Sequence, residues 1–390
     1  MASVLDFERY RSDLGRQLLR RIGYTNGLHK LRRFARVVEY LYPIMPTSSA
    51  LLAQIIIDRE NKLIIDDGRP LKGSKYAKGI VDVAQQLVLL ERFGTKISLS
   101  SQGYACHALN NLSNADQALN SFLLHKVLEA DGEYTLNILR LVSEGLYSSV
   151  ELGHALMRSF SLLMDFKLAW ATTSLPDRFS QRTISAHLTE AKTTLGKALD
   201  GESSAVGFFF KHTVNPRLEW LRDLGCIQEI ESTRISLLPT GVRLLDAVRR
   251  IGYYKEDFIY LPLDRWLASQ LDLPPFGESE DQDFDWKLVA QASSSVKGIG
   301  RFYRAMESPQ ELLNEVKTIY PLVKLANFNE ADALSIYEVF GSFDSLEGSV
   351  LPRELFDKSL LRIVNDFSGE VFKLSKRRGR GLYIALKGAG

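Results

Sequence analysis

Ile97-Ser98-Leu99-Ser100-Ser101-Gln102-Gly103-Tyr104 runs into Ala105-Cys106-His107-Ala108-Leu109, and Ile235-Ser236-Leu237-Leu238-Pro239-Thr240-Gly241-Val242 runs into Arg243-Leu244-Leu245-Asp246-Ala247-Val248. Each stretch alternates apolar and polar residues over the length of a short strand, then places a glycine at a corner and continues as an apolar helix. The same phrase written twice predicts two units built alike.

Outward from the first copy, Phe93-Gly94-Thr95-Lys96 reads as a tight turn that makes Ile97 to Leu99 the second arm of a hairpin. Before it, a helix is predicted from Ser74 to about Leu90, and another from Ala50 to about Ile57 with Ser48 or Ser49 as its cap. Leu31, Phe34, Val37, Val38 and Leu41 recur at helical spacing until Pro43 and Pro46 stop the helix. Three helices followed by a hairpin spell a winged helix.

The second copy repeats this grammar. Leu123, Leu124, Val127 and Leu128 share a helical face, and Tyr134, Ile138, Leu139, Leu141 and Val142 form the next helix, which ends near Gly145. Ser148 or Ser149 caps Val150 to Met157. Asn215-Pro216 reads as a helix start, with asparagine at the cap and proline at the first helical position. That helix stops at Gly225, and Ile227 to Ile230 pairs with Ile235 to Leu237. A third copy is expected near the C-terminus: Ser308-Pro309-Gln310-Glu311 is a capping box, Asn329 caps Glu330 to Phe340, and Pro352 opens a further helix. Val371 to Leu374 and Leu382 to Leu386 alternate like strands. The expected fold is mainly α with small β-hairpin wings (α+β), a tandem array of about three winged-helix domains with a helical insertion. Residues 1–112 carry basic helices and the first winged helix, 113–255 the second with an insertion at about 159–206, 256–300 an acidic connector, and 301–390 the third with a basic wing.

Hydrophobic residues make up 45% of the chain and charged residues 25%, with a net charge of only +2. Any nucleic-acid surface must therefore come from local clustering. Cys106 and Cys226, the two cysteines, are far apart, which excludes a disulfide scaffold and a cysteine-rich zinc site. The charged N-terminus lacks a signal core, and no apolar run reaches the roughly 18 residues of a membrane span; a cytoplasmic location is expected. The six histidines are scattered and show no ligand-like pair.

In a winged helix the third helix enters the major groove and the hairpin tip reaches backbone or minor groove. The expected DNA contacts are Lys72, Ser74, Lys75, Tyr76 and Lys78 in the first unit, and Lys211, His212, Thr213 and Arg217 in the second. In the last wing they are Lys373, Lys376, Arg377, Arg378 and Arg380, part of a run from Lys373 to Lys387 without a carboxylate. Arg20, Arg21, Arg32, Arg33 and Arg36 form a further basic cluster, read either as a backbone track or as the wet face of amphipathic helices.

Taken in order, Ile97 to Gly103, Leu123 to Val127, Tyr134-Thr135-Leu136-Asn137-Ile138-Leu139, Glu151-Leu152-Gly153 and Trp220-Leu221-Arg222-Asp223-Leu224-Gly225-Cys226-Ile227 resemble the recognition half of type IIS restriction endonucleases. In those enzymes three winged-helix subdomains precede a separate cleavage domain. The resemblance implies binding to double-stranded DNA in restriction or other anti-phage defence. The third unit reaches Gly390, so cleavage is expected from a partner protein that supplies nuclease or motor activity. No catalytic residue, cofactor, metal, small-molecule ligand or membrane is expected.

Three other readings compete: a protein-docking scaffold, a transcriptional repressor, and a magnesium-dependent nuclease using Asp177, Glu190 and Lys192. The last needs those residues on adjoining strands, whereas Ser185 to Leu199 reads as a helix.

Overall fold

The computed structural model describes residues 22, 28, 30–62, 73–145, 148–174, 182, 185, 186, 188, 189, 192, 193, 209–230, 234–242, 244, 245, 301–325, 330–346, 351, 353–368, 371–376 and 382–387. These residues are mostly helical, with small antiparallel sheets. In chain order they form α1 (Arg32–Leu41), β1 (Thr47–Ser48), α2 (Ser49–Lys62), α3 (Ser74–Gln86), β2 (Leu90–Phe93), β3 (Lys96–Leu99), α4 (Ser101–Asn111), α5 (Asp116–Glu144) and α6 (Ser149–Ser174). A π-helical turn, Phe210–Val214, leads into α7 (Asn215–Asp223), β4 (Ile227–Ile230) and β5 (Arg234–Leu237). The last group is α8 (Arg301–Ala305), α9 (Pro309–Val323), β6 (Ala331–Asp332), α10 (Ala333–Leu346), α11 (Arg353–Asp366), β7 (Val371–Lys376) and β8 (Leu382–Leu386).

Two compact units emerge, and neither is continuous in sequence. A flanking unit joins Arg32–His125 to Pro262–Gly390, and a middle unit joins Met1–Leu31 to Lys126–Leu261. These groupings are drawn on a different basis from the linear division at 112, 255 and 300: 32–125 groups with 262–390, and 1–31 groups with 126–261. Residues 256–300 lie outside the described ones.

Within the flanking unit one arrangement occurs twice. The order helix, strand, helix, helix, strand, strand runs from α1 to β3 and again from α9 to β8. Each time the first strand pairs antiparallel with the third, giving the sheet orders β1-β3-β2 and β6-β8-β7. Each first strand is two residues long, and its last residue caps the next helix. The Leu51 amide donates to Ser48 Oγ at 3.2 Å, and the Leu334 amide to Asp332 Oδ1 at 2.9 Å. Asp332 thus fills the role expected of Asn329, which lies outside the described residues, because the chain stays extended through Asp332 before turning. Ser308 caps α9 as its sequence indicates, accepting from the Glu311 amide at 3.4 Å. The apolar stripe of α1 (Phe34, Val37, Val38, Leu41) and that of α3 (Ala77, Ile80, Val81, Ala84) are buried together with Ile97 and Leu99. Helix α4 packs on α9 and α10, where Ser335 Oγ donates to the Ser101 carbonyl at 2.7 Å and Ser101 Oγ bonds the Asp332 carboxylate.

In the middle unit, α5 bends at Asp131 (φ −137°, ψ 20°), so the two helices read from the sequence are one kinked rod. Helix α6 runs to Ser174, well past Met157, and so takes up the start of the expected insertion. Asn215 does not cap α7. Its backbone is helical (φ −57°, ψ −42°), because the π-helical turn feeds directly into the helix.

The repeated phrase has one geometry in both units. Helices α3 and α7 end in a residue of left-handed backbone, Val88 (φ 60°) and Gly225 (φ 67°). The Leu89 amide then reaches back to the Ala84 carbonyl at 2.9 Å, and the Cys226 amide to the Leu221 carbonyl at 2.8 Å. The carbonyls of Leu89 and Cys226 in turn accept from Ser100 at 3.2 Å and Leu238 at 2.9 Å, where the chain returns from the hairpin. Gly103 and Gly241 press against these same carbonyls: a Cβ would sit 2.1 Å from the Leu89 oxygen and 2.2 Å from the Cys226 oxygen. Glycine is needed here for close approach, since both neighbours are backbone and cannot swing aside. Gly103→Ala and Gly241→Ala should each lower unfolding free energy by about 1–3 kcal/mol, as overpacking does; equal denaturation midpoints for variant and wild type would contradict the close approach.

Candidate nucleic-acid interface

Helix α3 buries one face and presents the other. Ser74, Lys75 and Lys78 are exposed at its start, and Asp82 and Gln86 follow on the outer side. Behind this helix, β2 and β3 form a hairpin closed by Gly94 (φ 60°) and Thr95, with Arg92, Phe93 and Lys96 exposed at its end. Among the described residues, Lys75, Lys78, Arg92 and Lys96 enter no ion pair. Arg92 and Lys96 are not among the contacts expected from the sequence, although cations bracketing a Phe-Gly-Thr turn are a legible signal. Lys72 lies outside the described residues. Tyr76 is half-buried, and its hydroxyl accepts from Arg33 at 2.6 Å, so part of its capacity is used internally.

Three arginines of α1 are already committed, whereas Arg59 and Lys62 at the end of α2 are exposed and enter no ion pair among the described residues. Arg32 donates to Asp116 at 2.8 Å and to Asn120 at 3.0 Å. Arg36 clasps Glu60 with two bonds of 2.8 and 2.9 Å, Arg33 lies 3.3 Å from the same carboxylate, and the Tyr40 hydroxyl donates to it at 2.8 Å. Arg33 and Arg36 are thus held in an internal brace on Glu60, whereas the Arg32–Asp116 pair is exposed, as on a wet helix face, and Arg20 and Arg21 lie outside the described residues. Burial alone would raise the Glu60 carboxyl. The hydrogen bonds from Arg36 and Tyr40 and the charges of Arg36 and Arg33 outweigh it, so Glu60 titrates below its ordinary value. Burial and then the bond to Glu60 push Tyr40 up to about 12, which keeps its proton in place.

A carboxyl whose folded-state value is lowered adds stability above its ordinary value and loses it as pH falls through the lowered one. The stability gap between wild type and Glu60→Gln should therefore be widest near neutral pH and shrink steadily as pH falls through and below the ordinary glutamate range. A gap that stayed constant in thermal melts across that range would rule out the brace.

The middle unit disposes of its cations differently. Lys211 is exposed, and His212 and Thr213 are half-buried. Arg217, expected at a DNA-facing helix start, is instead 1% exposed. Its Nε and one Nη bond the two oxygens of Asp131 at 2.6 and 2.7 Å, and it also donates to the carbonyls of Ile22 at 2.8 Å and Thr213 at 2.6 Å. The Ile22 amide donates to Asp131 at 2.6 Å, and the Tyr134 ring covers the guanidinium at 4.3 Å. Farther along α7, Trp220 Nε1 donates to the Leu28 carbonyl at 2.7 Å. A buried carboxylate has thus drawn Arg217 inward, because either charge alone would be costly there. Arg217→Met should destabilise the protein by about 3–5 kcal/mol, and adding Asp131→Leu should recover part of that loss. A single variant as stable as wild type would contradict this pairing.

The last wing is only partly described. Lys373 and Lys376 lie on β7 opposite Ala385 and Leu382, whereas Arg377, Arg378 and Arg380 lie outside the described residues. Helix α11 exposes Lys358, Leu361, Arg362 and Asn365, with Arg362 3.5 Å from Asp366 and Arg353 3.0 Å from Asp357.

The nuclease constellation is not brought together among the described residues. Lys192 is helical and pairs with Asp165, while Asp177 and Glu190 lie outside the described residues. No group of three or more histidine, cysteine or acidic residues among the described ones could hold a metal ion. His107 is tied to Glu39 at 3.0 Å and stacked on Tyr42 at 3.8 Å. Both thiols are buried, and burial pushes Cys106 above the ordinary range and Cys226 up to about 12. No helix among the described residues is long and apolar enough to cross a membrane. Comparison of the chain with protein-family models, curated proteins and solved structures finds no match.

Proposed function

We propose that this chain binds double-stranded DNA through winged helices, and that the flanking unit carries the contact. The twofold recurrence of helix, strand, helix, helix, strand, strand, with the first strand joined to the third, supports the winged-helix reading. One observation carries the DNA reading: beside Arg32, Arg33 and Arg36, which are tied to carboxylates, Lys75, Lys78, Arg92 and Lys96 are exposed and without ion pairs among the described residues, on α3 and at the wing tip. A helix fits the major groove, the wing reaches the flanking backbone, and cations there displace condensed counterions. DNA cleavage or translocation would then come from a partner protein in a restriction or defence assembly.

The middle unit invites a second reading as a protein-docking module. Its α7 buries Pro216, Arg217, Leu218, Trp220 and Leu221, which leaves little of that helix to enter a groove.

Binding of labelled duplex to the full chain, measured over a range of salt concentrations, tests the first reading. Lys75→Glu with Lys78→Glu, and separately Arg92→Glu with Lys96→Glu, should weaken binding and flatten the log–log salt slope by about 0.9 for each phosphate no longer neutralised. Unchanged affinity and slope in both double variants would refute it.

A further inference from the structure

We propose that α11 is the helix that gives the chain a sequence preference. Leu361 packs on a thymine methyl group and Asn365 pairs with an adenine in the major groove, while Lys358 and Arg362 hold the flanking phosphates. The inference rests on the DNA reading above and adds what is read, a site containing A·T pairs.

The repeat within the flanking unit places the helix. In the second copy α11 stands where α3 stands in the first, directly before the hairpin. Packing fixes its inner face: Phe356, Leu360 and Ile363 are buried, and the Phe356 ring lies 5.6 Å from Tyr337 and 5.9 Å from Phe340 of α10. That seating sets the rotation of α11. Lys358, Leu361, Arg362 and Asn365 then fall within about 100° of arc on the opposite side of a helix of 3.6 residues per turn. All four are exposed.

The chemistry of this face differs from that of α3. The outer side of α3 offers Lys75, Lys78, Asp82 and Gln86, with no apolar side chain among them. Helix α11 instead leaves Leu361 49% exposed beside two cations. Lys358 enters no ion pair among the described residues, and Arg362 meets Asp366 at 3.5 Å, an exposed pair of little strength. The sequence from Lys373 to Lys387, which follows in the same copy, has no carboxylate, so the charge of this end complements a polyanion. In a major groove an apolar side chain meets the thymine methyl, an asparagine amide matches N6 and N7 of adenine, and cations meet the phosphates that position them.

The test starts from the full chain and a pool of duplexes of random sequence, from which wild type should enrich a site containing A·T pairs. The enriched duplex is then made with deoxyuridine for thymine, which removes only the methyl group, or with 7-deazaadenine for adenine, which removes the N7 acceptor. Wild type should lose about fourfold in affinity on the uracil duplex, as for one buried methyl, and about fivefold or more on the 7-deazaadenine duplex. Leu361→Ala should bind the thymine and uracil duplexes alike, whereas Leu361→Met should keep the difference. Asn365→Ala should bind the adenine and 7-deazaadenine duplexes alike. Melting curves matching wild type would show that these exposed substitutions leave the fold intact. Enrichment of no sequence, or of one without A·T pairs, would overturn the assignment to α11. So would equal affinity of wild type for natural and modified duplexes, or variants that keep the preferences they should lose. Absence of any duplex binding by wild type would instead overturn the underlying DNA reading.

Discussion

A backbone carbonyl seated against a glycine Cα holds each hairpin to the helix that precedes it. At Leu89 and Gly103, and again at Cys226 and Gly241, the same oxygen meets the returning chain and leaves no room for a Cβ. In the flanking unit this contact fixes where α3 ends, where β2 begins and where β3 gives way to α4. Helix and hairpin are thereby held as one rigid corner, and the exposed face of α3 keeps a set relation to the tip of its wing. The proposed interface depends on that relation, because phosphates spaced along a duplex can engage only cations held at matching spacing.

The second constraint is how charge is shared out. Near α1, arginines are matched to Glu60 and Asp116, and in the middle unit Arg217 is matched to Asp131. Planar guanidinium groups suit such two-point clasps better than ammonium groups do. The lysines of α3 are left on the outside, as strongly hydrated point charges suited to a surface that meets mobile anions. A net charge of +2 can thus coexist with a locally cationic face.

Much of the local architecture is legible in the sequence, because periodicity and punctuation are local properties. The Phe93-Gly94-Thr95-Lys96 turn, the Ser308 cap and the two glycine corners can be read directly. The grouping of units cannot, since nothing in the composition of α4 says that α9 and α10 will cover it. The fate of Arg217 is hidden for a similar reason: its partner Asp131 lies 86 residues away. Asp131 itself lies in Glu129-Ala130-Asp131-Gly132-Glu133, where nothing local sets it apart from the acidic residues on either side. Likewise Asn215-Pro216 carries a strong local start signal that the preceding π-helical turn overrides. Lys75 and Lys78 stay legible because they lie in the first turns of a helix, off its apolar stripe.

One difference between the two corners has a consequence of its own. Where the middle unit uses Gly225 to turn from helix to hairpin, the flanking unit uses Val88, a branched residue in a backbone region that such residues avoid. A glycine at 88 would relieve that crowding but would also widen the range of shapes open to the unfolded chain, and the two effects oppose each other. Position 88 is therefore a joint whose stiffness a protein engineer can tune without altering a single charge on the outer surface.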